Sequence, residues 1–156
     1  MTVGILGLGL IGGSLARAYA KAGHTVLAAE KDEAMLAFAQ IAGAIHGELT
    51  DENIGSCDLI LLAIYPAGSA AWLEDKAHLV SPAALVMDCC GVKREICARC
   101  FPLAEQYGFT FIGGHPMAGR ERSGFTSAVE DLYVGASMIL TPDDKTDMPL
   151  LETLKH

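Results

Sequence analysis

The feature that most constrains this chain is the run of glycines near its start, Val3-Gly4-Ile5-Leu6-Gly7-Leu8-Gly9-Leu10-Ile11-Gly12-Gly13-Ser14-Leu15-Ala16. An apolar stretch of strand length leads into Gly7-x-Gly9-x-x-Gly12. Ser14 to Ala22 then carries helical spacing and stops at Gly23. In a strand–turn–helix unit of this pattern each glycine meets a separate demand. Gly7 permits the tight turn, Gly9 lets backbone approach a pyrophosphate, and Gly12 lets the new helix pack close to its strand. The helix N-terminus directs free N–H groups and positive dipole at the phosphates. Glycines also punctuate ordinary turns. Here strand and helix stand on the required sides, so Gly7, Leu8, Gly9, Leu10, Ile11 and Gly12 are expected to hold a dinucleotide.

The next segments fit the same unit. His24 to Ala29 reads as a second strand, and Glu30 at its end lies 18 residues past Gly12. That is where such a fold holds the ribose diol of the adenosine half. A carboxylate there repels a 2′-phosphate, which favours NAD over NADP, although Lys31 beside it keeps NADP possible. A solvated strand-end carboxylate is the bland alternative. Asp32 to Ala42 reads as a helix with Met35, Phe38 and Ala39 inward. Asp58 to Ile64 is a continuous apolar run, as a strand covered on both faces requires. Ile64, Tyr65 and Pro66 follow at its carboxyl edge, where ligands bind in open α/β sheets. Trp72 lies in a helical segment and reads as packing.

Ala84 to Met87 forms a fourth strand with Asp88 at its end, and Val92 to Cys100 begins a helix that Pro102 interrupts or restarts. Asp88 and Lys93 either pair with each other or line the nicotinamide end of the cleft. Phe109 to Ile112 is a fifth strand and Ala136 to Leu140 a sixth, and Asp147 to His156 looks like the first turns of a helix. Strands alternating with helices predict an α/β fold of Rossmann type, a doubly wound and mostly parallel sheet with helices on both faces.

Bulk properties agree. Of 156 residues, 51% are hydrophobic and 19% charged, with a mean hydropathy of +0.34. That suits a buried parallel sheet. The formal charge of −8 and the lack of a Lys/Arg cluster argue against nucleic acid as a partner. No apolar run reaches membrane-spanning length, and no basic leader precedes the first strand, so a cytoplasmic location is expected. The five cysteines, Cys57, Cys89, Cys90, Cys97 and Cys100, then read as reduced and buried thiols. Cys97-x-x-Cys100 lacks the further ligands that a metal site needs, so no metal is expected.

His115 is the strongest candidate for chemistry. It follows a strand, lies among glycines, and faces the same sheet edge as the glycine turn. An imidazole there can accept a proton from a substrate hydroxyl while hydride leaves the same carbon. Backbone hydrogen bonding within a glycine-rich turn is the alternative. Beyond it, Arg120-Glu121-Arg122-Ser123-Gly124 places charge in a loop, suited to an anionic substrate or simply to solvent.

Three blocks together resemble the prephenate/arogenate dehydrogenase family: the glycine run Gly7 to Ala16, Asp88-Cys89-Cys90-Gly91-Val92-Lys93, and Gly113-Gly114-His115-Pro116-Met117-Ala118-Gly119-Arg120-Glu121-Arg122-Ser123-Gly124. The resemblance runs through essentially the whole chain. It implies oxidative decarboxylation of prephenate or arogenate in tyrosine synthesis, with a small-molecule substrate and NAD or NADP as cofactor. His115 would engage the ring hydroxyl as hydride passes to nicotinamide. Glu121 and Ser123 would lie on the substrate side. The family usually has a serine where Gly91 stands, its hydroxyl near the histidine. Its members continue into a helical domain that dimerises, so residues 1–146 are expected to be the nucleotide-binding domain. Residues 147–156 would start the connecting helix, and the homodimer surface would be missing from this chain. The alternatives are a module that binds NAD without turnover and another oxidoreductase of the β-hydroxyacid dehydrogenase kind.

Overall fold

The computed structural model describes residues 1–119 and 124–154. The chain runs β1 (Thr2–Leu6), α1 (Leu10–Lys21), β2 (Thr25–Ala29), α2 (Glu33–Ile41), β3 (Gly47–Glu48), β4 (Leu59–Leu62), α3 (Pro66–Lys76), β5 (Leu85–Asp88), α4 (Arg94–Tyr107), β6 (Thr110–Pro116), β7 (Met138–Pro142) and α5 (Met148–Thr153). The seven strands form one sheet in the order β3-β2-β1-β4-β5-β6-β7. Every pairing is parallel except that of β6 with β7, which is antiparallel. This is the doubly wound, mostly parallel sheet expected.

Strand alternation divides the core between two faces. Ile60 and Leu62 of β4, Val86 of β5 and Phe111 of β6 pack with Ala70 and Leu73 of α3 and with Ile96, Cys97 and Cys100 of α4. Their neighbours Leu59, Leu61, Met87 and Ile112 face the other way, with Val3, Ile5, Leu15, Ala16 and Ala39. Because both faces are covered, the strand residues read as unbroken apolar runs.

Several boundaries differ from expectation for identifiable reasons. Helix α1 begins at Leu10, so Gly12 and Gly13 lie inside it. Packing holds these glycines helical where propensity alone would place them in the turn. The two-residue β3, which pairs with β2, carries too short a pattern to be read. Phe38 is 48% exposed and not inward, although its ring meets that of Phe125 edge-on at 5.8 Å. Helix α4 passes unbroken through Pro102. Pro102 and Ala98, whose carbonyl loses its helical donor, both lie on the exposed side, so water can satisfy that oxygen. Strand β6 extends to Pro116, so His115 lies on the strand and not after it, paired with Ile139 of β7. The last strand is Met138–Pro142, two residues later than the apolar pattern suggests.

Candidate active site

The strand order reverses direction between β1 and β4, which opens a crevice at their carboxyl ends. Gly7 turns the chain out of β1 with φ +90, and a Cβ on it would stand 2.4 Å from Cγ2 of Ile64. A Cβ on Gly12 would stand 2.0 Å from the Gly7 carbonyl oxygen, so α1 is seated directly on the turn. Gly9 is different in kind. Among the described residues nothing lies within 4 Å of a Cβ built there. Neither backbone strain nor packing asks for glycine at this position, and its bare face opens on the crevice.

Gly9 is also the N-cap of α1 and makes no side-chain cap hydrogen bond, so the first amides of the helix face the crevice without a capping side chain. At the end of β2, Oε2 of Glu30 accepts from the Leu8 N–H at 2.8 Å, and Oε1 accepts from the Lys31 N–H at 2.7 Å. The carboxylate therefore fastens the glycine turn to the second strand and remains half-buried at the lip.

Two adjoining hollows follow. One, of about 420 Å³, is lined by Gly7, Gly9, Ile11 and Glu30 on one side and by Ile64, Tyr65, Pro66, Cys89, Cys90 and Gly91 on the other. The second, of about 470 Å³, shares Gly7, Glu30, Ile64 and Tyr65 and extends past Lys31, Glu48 and Gly68 to Trp72. Together they make an elongated groove whose middle is the glycine turn. A dinucleotide fits that shape and donor set: bare backbone at Gly9, uncapped amides on α1, and a carboxylate beside one hollow.

Most of the residues expected at the site converge on this groove. Leu8 contributes backbone only, its side chain 1% exposed in the core. Leu10 is half-buried, and the Ile11 carbonyl accepts from the Tyr133 hydroxyl at 2.9 Å. Of the two readings of Asp88, the structure shows the pair with Lys93, and its side chain does not line the groove. It is fully buried, and its oxygens accept from the N–H groups of Gly114 at 3.1 Å and Cys90 at 2.9 Å and from Nζ of Lys93. It lies beneath the groove wall. Glu121 and Ser123 fall outside the described residues. The sequence reading missed Trp72 and Gly68 as lining residues. Their i, i+4 spacing on α3, directly after Pro66, places both on one helix face and could have signalled it.

His115 stands where the groove ends at Gly91. A Cβ built on Gly91 would be 3.7 Å from Nε2 of His115 and 3.8 Å from its Cε1. The imidazole edge therefore borders the same turn that closes the first hollow. The cysteine thiols around this wall are poor nucleophiles. Burial, reinforced by the Asp88 charge, pushes Cys89 up to about 12 and Cys90 up to about 11.

This geometry defines a dinucleotide-binding domain of Rossmann type with a histidine at the end of its groove. The family described as prephenate dehydrogenase, nucleotide-binding domain, matches residues 15–156, and the chain belongs to it. Among relatives, prephenate dehydrogenase of Bacillus subtilis is 31% identical over 163 residues, covering 99% of this chain and 43% of that protein. The crystal structure of Synechocystis arogenate dehydrogenase superposes with a TM-score of 0.87 at 31% identity, covering 99% of this chain and 55% of the other. That of prephenate dehydrogenase from A. aeolicus, in complex with hydroxyphenyl propionate and NAD+, gives 0.85 at 28% identity with the same coverage. The chain thus spans about half the length, or less, of these proteins.

Proposed function

We propose that this chain is the nucleotide-binding part of an NAD-dependent prephenate or arogenate dehydrogenase. The observation that carries the reading is the placement of His115, its Nε2 facing the Gly91 turn at the end of a groove shaped for a dinucleotide. The bound cofactor supplies a hydride acceptor. Gly9 and the α1 amides orient its pyrophosphate, and Glu30 takes the ribose diol, which selects NAD. His115 accepts the proton of the substrate's ring hydroxyl. The hydride leaves the same carbon, and the ring carboxylate departs as carbon dioxide while its bonding electrons complete the aromatic ring. Glu121 and Ser123, which follow His115 in the sequence, serve the substrate side. Residues 1–146 form the nucleotide-binding unit in this reading, and α5 starts the connection to a substrate and dimer region. No described helix is long and apolar enough to cross a membrane, and we place the enzyme in the cytoplasm.

Titration calorimetry of the chain with NAD and with NADP tests the cofactor half. Formation of reduced nicotinamide from prephenate or arogenate, with a separately made helical domain added, tests the chemistry. Binding of NAD and turnover that His115→Asn abolishes are the expected results. Failure to bind either nucleotide overturns the reading. Binding with no turnover under these conditions favours an NAD-holding module.

A further inference from the structure

Directly under His115 lies an ion pair that the reaction as described does not use. Asp88, the last residue of β5, is fully buried, whereas the side chain of Lys93 is 19% exposed. The pair grips Gly114 from both ends, through the two peptide groups that flank its Cα. Oδ1 of Asp88 accepts from the Gly114 N–H at 3.1 Å, and Nζ of Lys93 donates to the Gly114 carbonyl at 2.6 Å. The Gly114 carbonyl belongs to the peptide that carries His115. The other Asp88 oxygen accepts from the Cys90 N–H and from Nζ of Lys93, which ties down the turn that holds Gly91.

The two glycines before His115 make this grip possible. A Cβ on Gly113 would stand 2.8 Å from Sγ of Cys97 and 3.0 Å from Cδ of Lys93. A Cβ on Gly114 would stand 2.4 Å from the Asp88 carbonyl oxygen and 2.8 Å from Cγ of Met87. The lysine stem crosses the strand where Gly113 has no side chain, and β6 lies against β5 where Gly114 has none. A buried pair of this kind is a poor source of net stability, because desolvation offsets its Coulomb attraction. What it does supply is geometry.

We infer that Asp88 and Lys93 are positioning residues for His115, a brace that fixes its backbone and the Gly91 turn in one mutual arrangement. The inference rests on the reading of His115 as the proton acceptor. One carboxylate holds both sides of the gap, so loss of either charge loosens the imidazole against the groove. The nucleotide contacts proposed for Gly9, at the N-cap of α1, and Glu30, just past β2, lie on other segments and should be spared.

The test compares the chain with Lys93→Gln, Lys93→Arg and Asp88→Asn, reading the His115 imidazole resonances by NMR and NAD affinity by calorimetry. The brace predicts that Lys93→Gln displaces the His115 resonances, that Lys93→Arg largely restores them, and that NAD affinity stays within about twofold, a change of under 0.5 kcal/mol. In a turnover assay kcat falls roughly 10- to 100-fold while KM for NAD holds, the size expected for a misplaced catalytic group. If a single variant fails to fold because a buried charge is stranded, the double variant Asp88→Asn/Lys93→Gln removes both charges and answers the same question. Unmoved His115 resonances in a folded Lys93→Gln or double variant overturn the brace. A wild-type enzyme whose turnover is indifferent to His115→Asn overturns the proton-acceptor reading instead, and the NMR result still decides the brace.

Discussion

The N–H of Leu8 donates to Oε2 of Glu30 at 2.8 Å, which joins the glycine turn after β1 to the carboxylate at the end of β2. Glu30 thus shapes the turn as well as being the acceptor proposed for the ribose. Glu30→Ala should weaken NAD by roughly 10- to 100-fold, the loss of about 1.5–3 kcal/mol for hydrogen bonds to a charged group. Discrimination against NADP should shrink with it. Calorimetry with both nucleotides checks this, and unchanged NAD affinity would remove Glu30 from the ribose site.

The space over Gly91 is open toward His115, and Gly91 is not among the glycines with positive φ. Gly91→Ser therefore meets neither strain nor clash, and its stability should stay within about 0.5 kcal/mol of the parent. Its hydroxyl would reach the imidazole. We expect displaced His115 resonances and higher turnover. A fall in turnover would mean that the substrate itself needs this space.

Gly13 reverses the usual helix rule. Glycine to alanine inside a helix ordinarily stabilises by about 1 kcal/mol. A Cβ on Gly13, however, would stand 2.6 Å from Cδ2 of Phe125 and 3.0 Å from Cβ of Ala128. Phe125 is fully buried and carries the Arg17 guanidinium 4.6 Å above its ring. Gly13→Ala should destabilise by about 1–3 kcal/mol through overpacking, measured by urea denaturation. Gly9→Ala, with no described atom within 4 Å, should leave stability intact and weaken nucleotide binding.

The buried thiols predict an alkaline weakness. Burial pushes Cys57 and Cys90 up to about 11 and Cys100 up to about 12, from an ordinary value of 9.0. Neighbouring Asp58 for Cys57, and Asp88 for the other two, add to the shift. Below pH 9 both folded and unfolded chains keep these protons. Between pH 9 and 11 the unfolded chain loses protons that the folded one retains, so stability declines as pH rises. Each thiol contributes a slope of at most about 1.4 kcal/mol per pH unit. Urea midpoints measured across this range check it, and Cys100→Ala should flatten the decline.

Local chemistry wrote most of the fold into the chain. The glycine turn, the apolar runs of β4 and β5, and the Gly23 stop after α1 all arise from neighbours in sequence, and so they are legible there. Glu30 stands out as a candidate by its spacing from Gly12, and His115 by the glycines around it. What tertiary structure alone decided are the contacts between distant segments. Asp88 reads in sequence as a strand-end carboxylate that either pairs with Lys93 or lines the cleft. Only the parallel pairing of β5 with β6 brings the Gly114 amide onto it and turns it inward. Gly13 reads as one more glycine of the turn until Phe125 packs into its place. Trp72 reads as core because burial against the sheet and exposure to the groove look alike in a helical pattern. Sequence determined which elements form. Close packing across the sheet decided which side chains face the groove and which hold its wall in place.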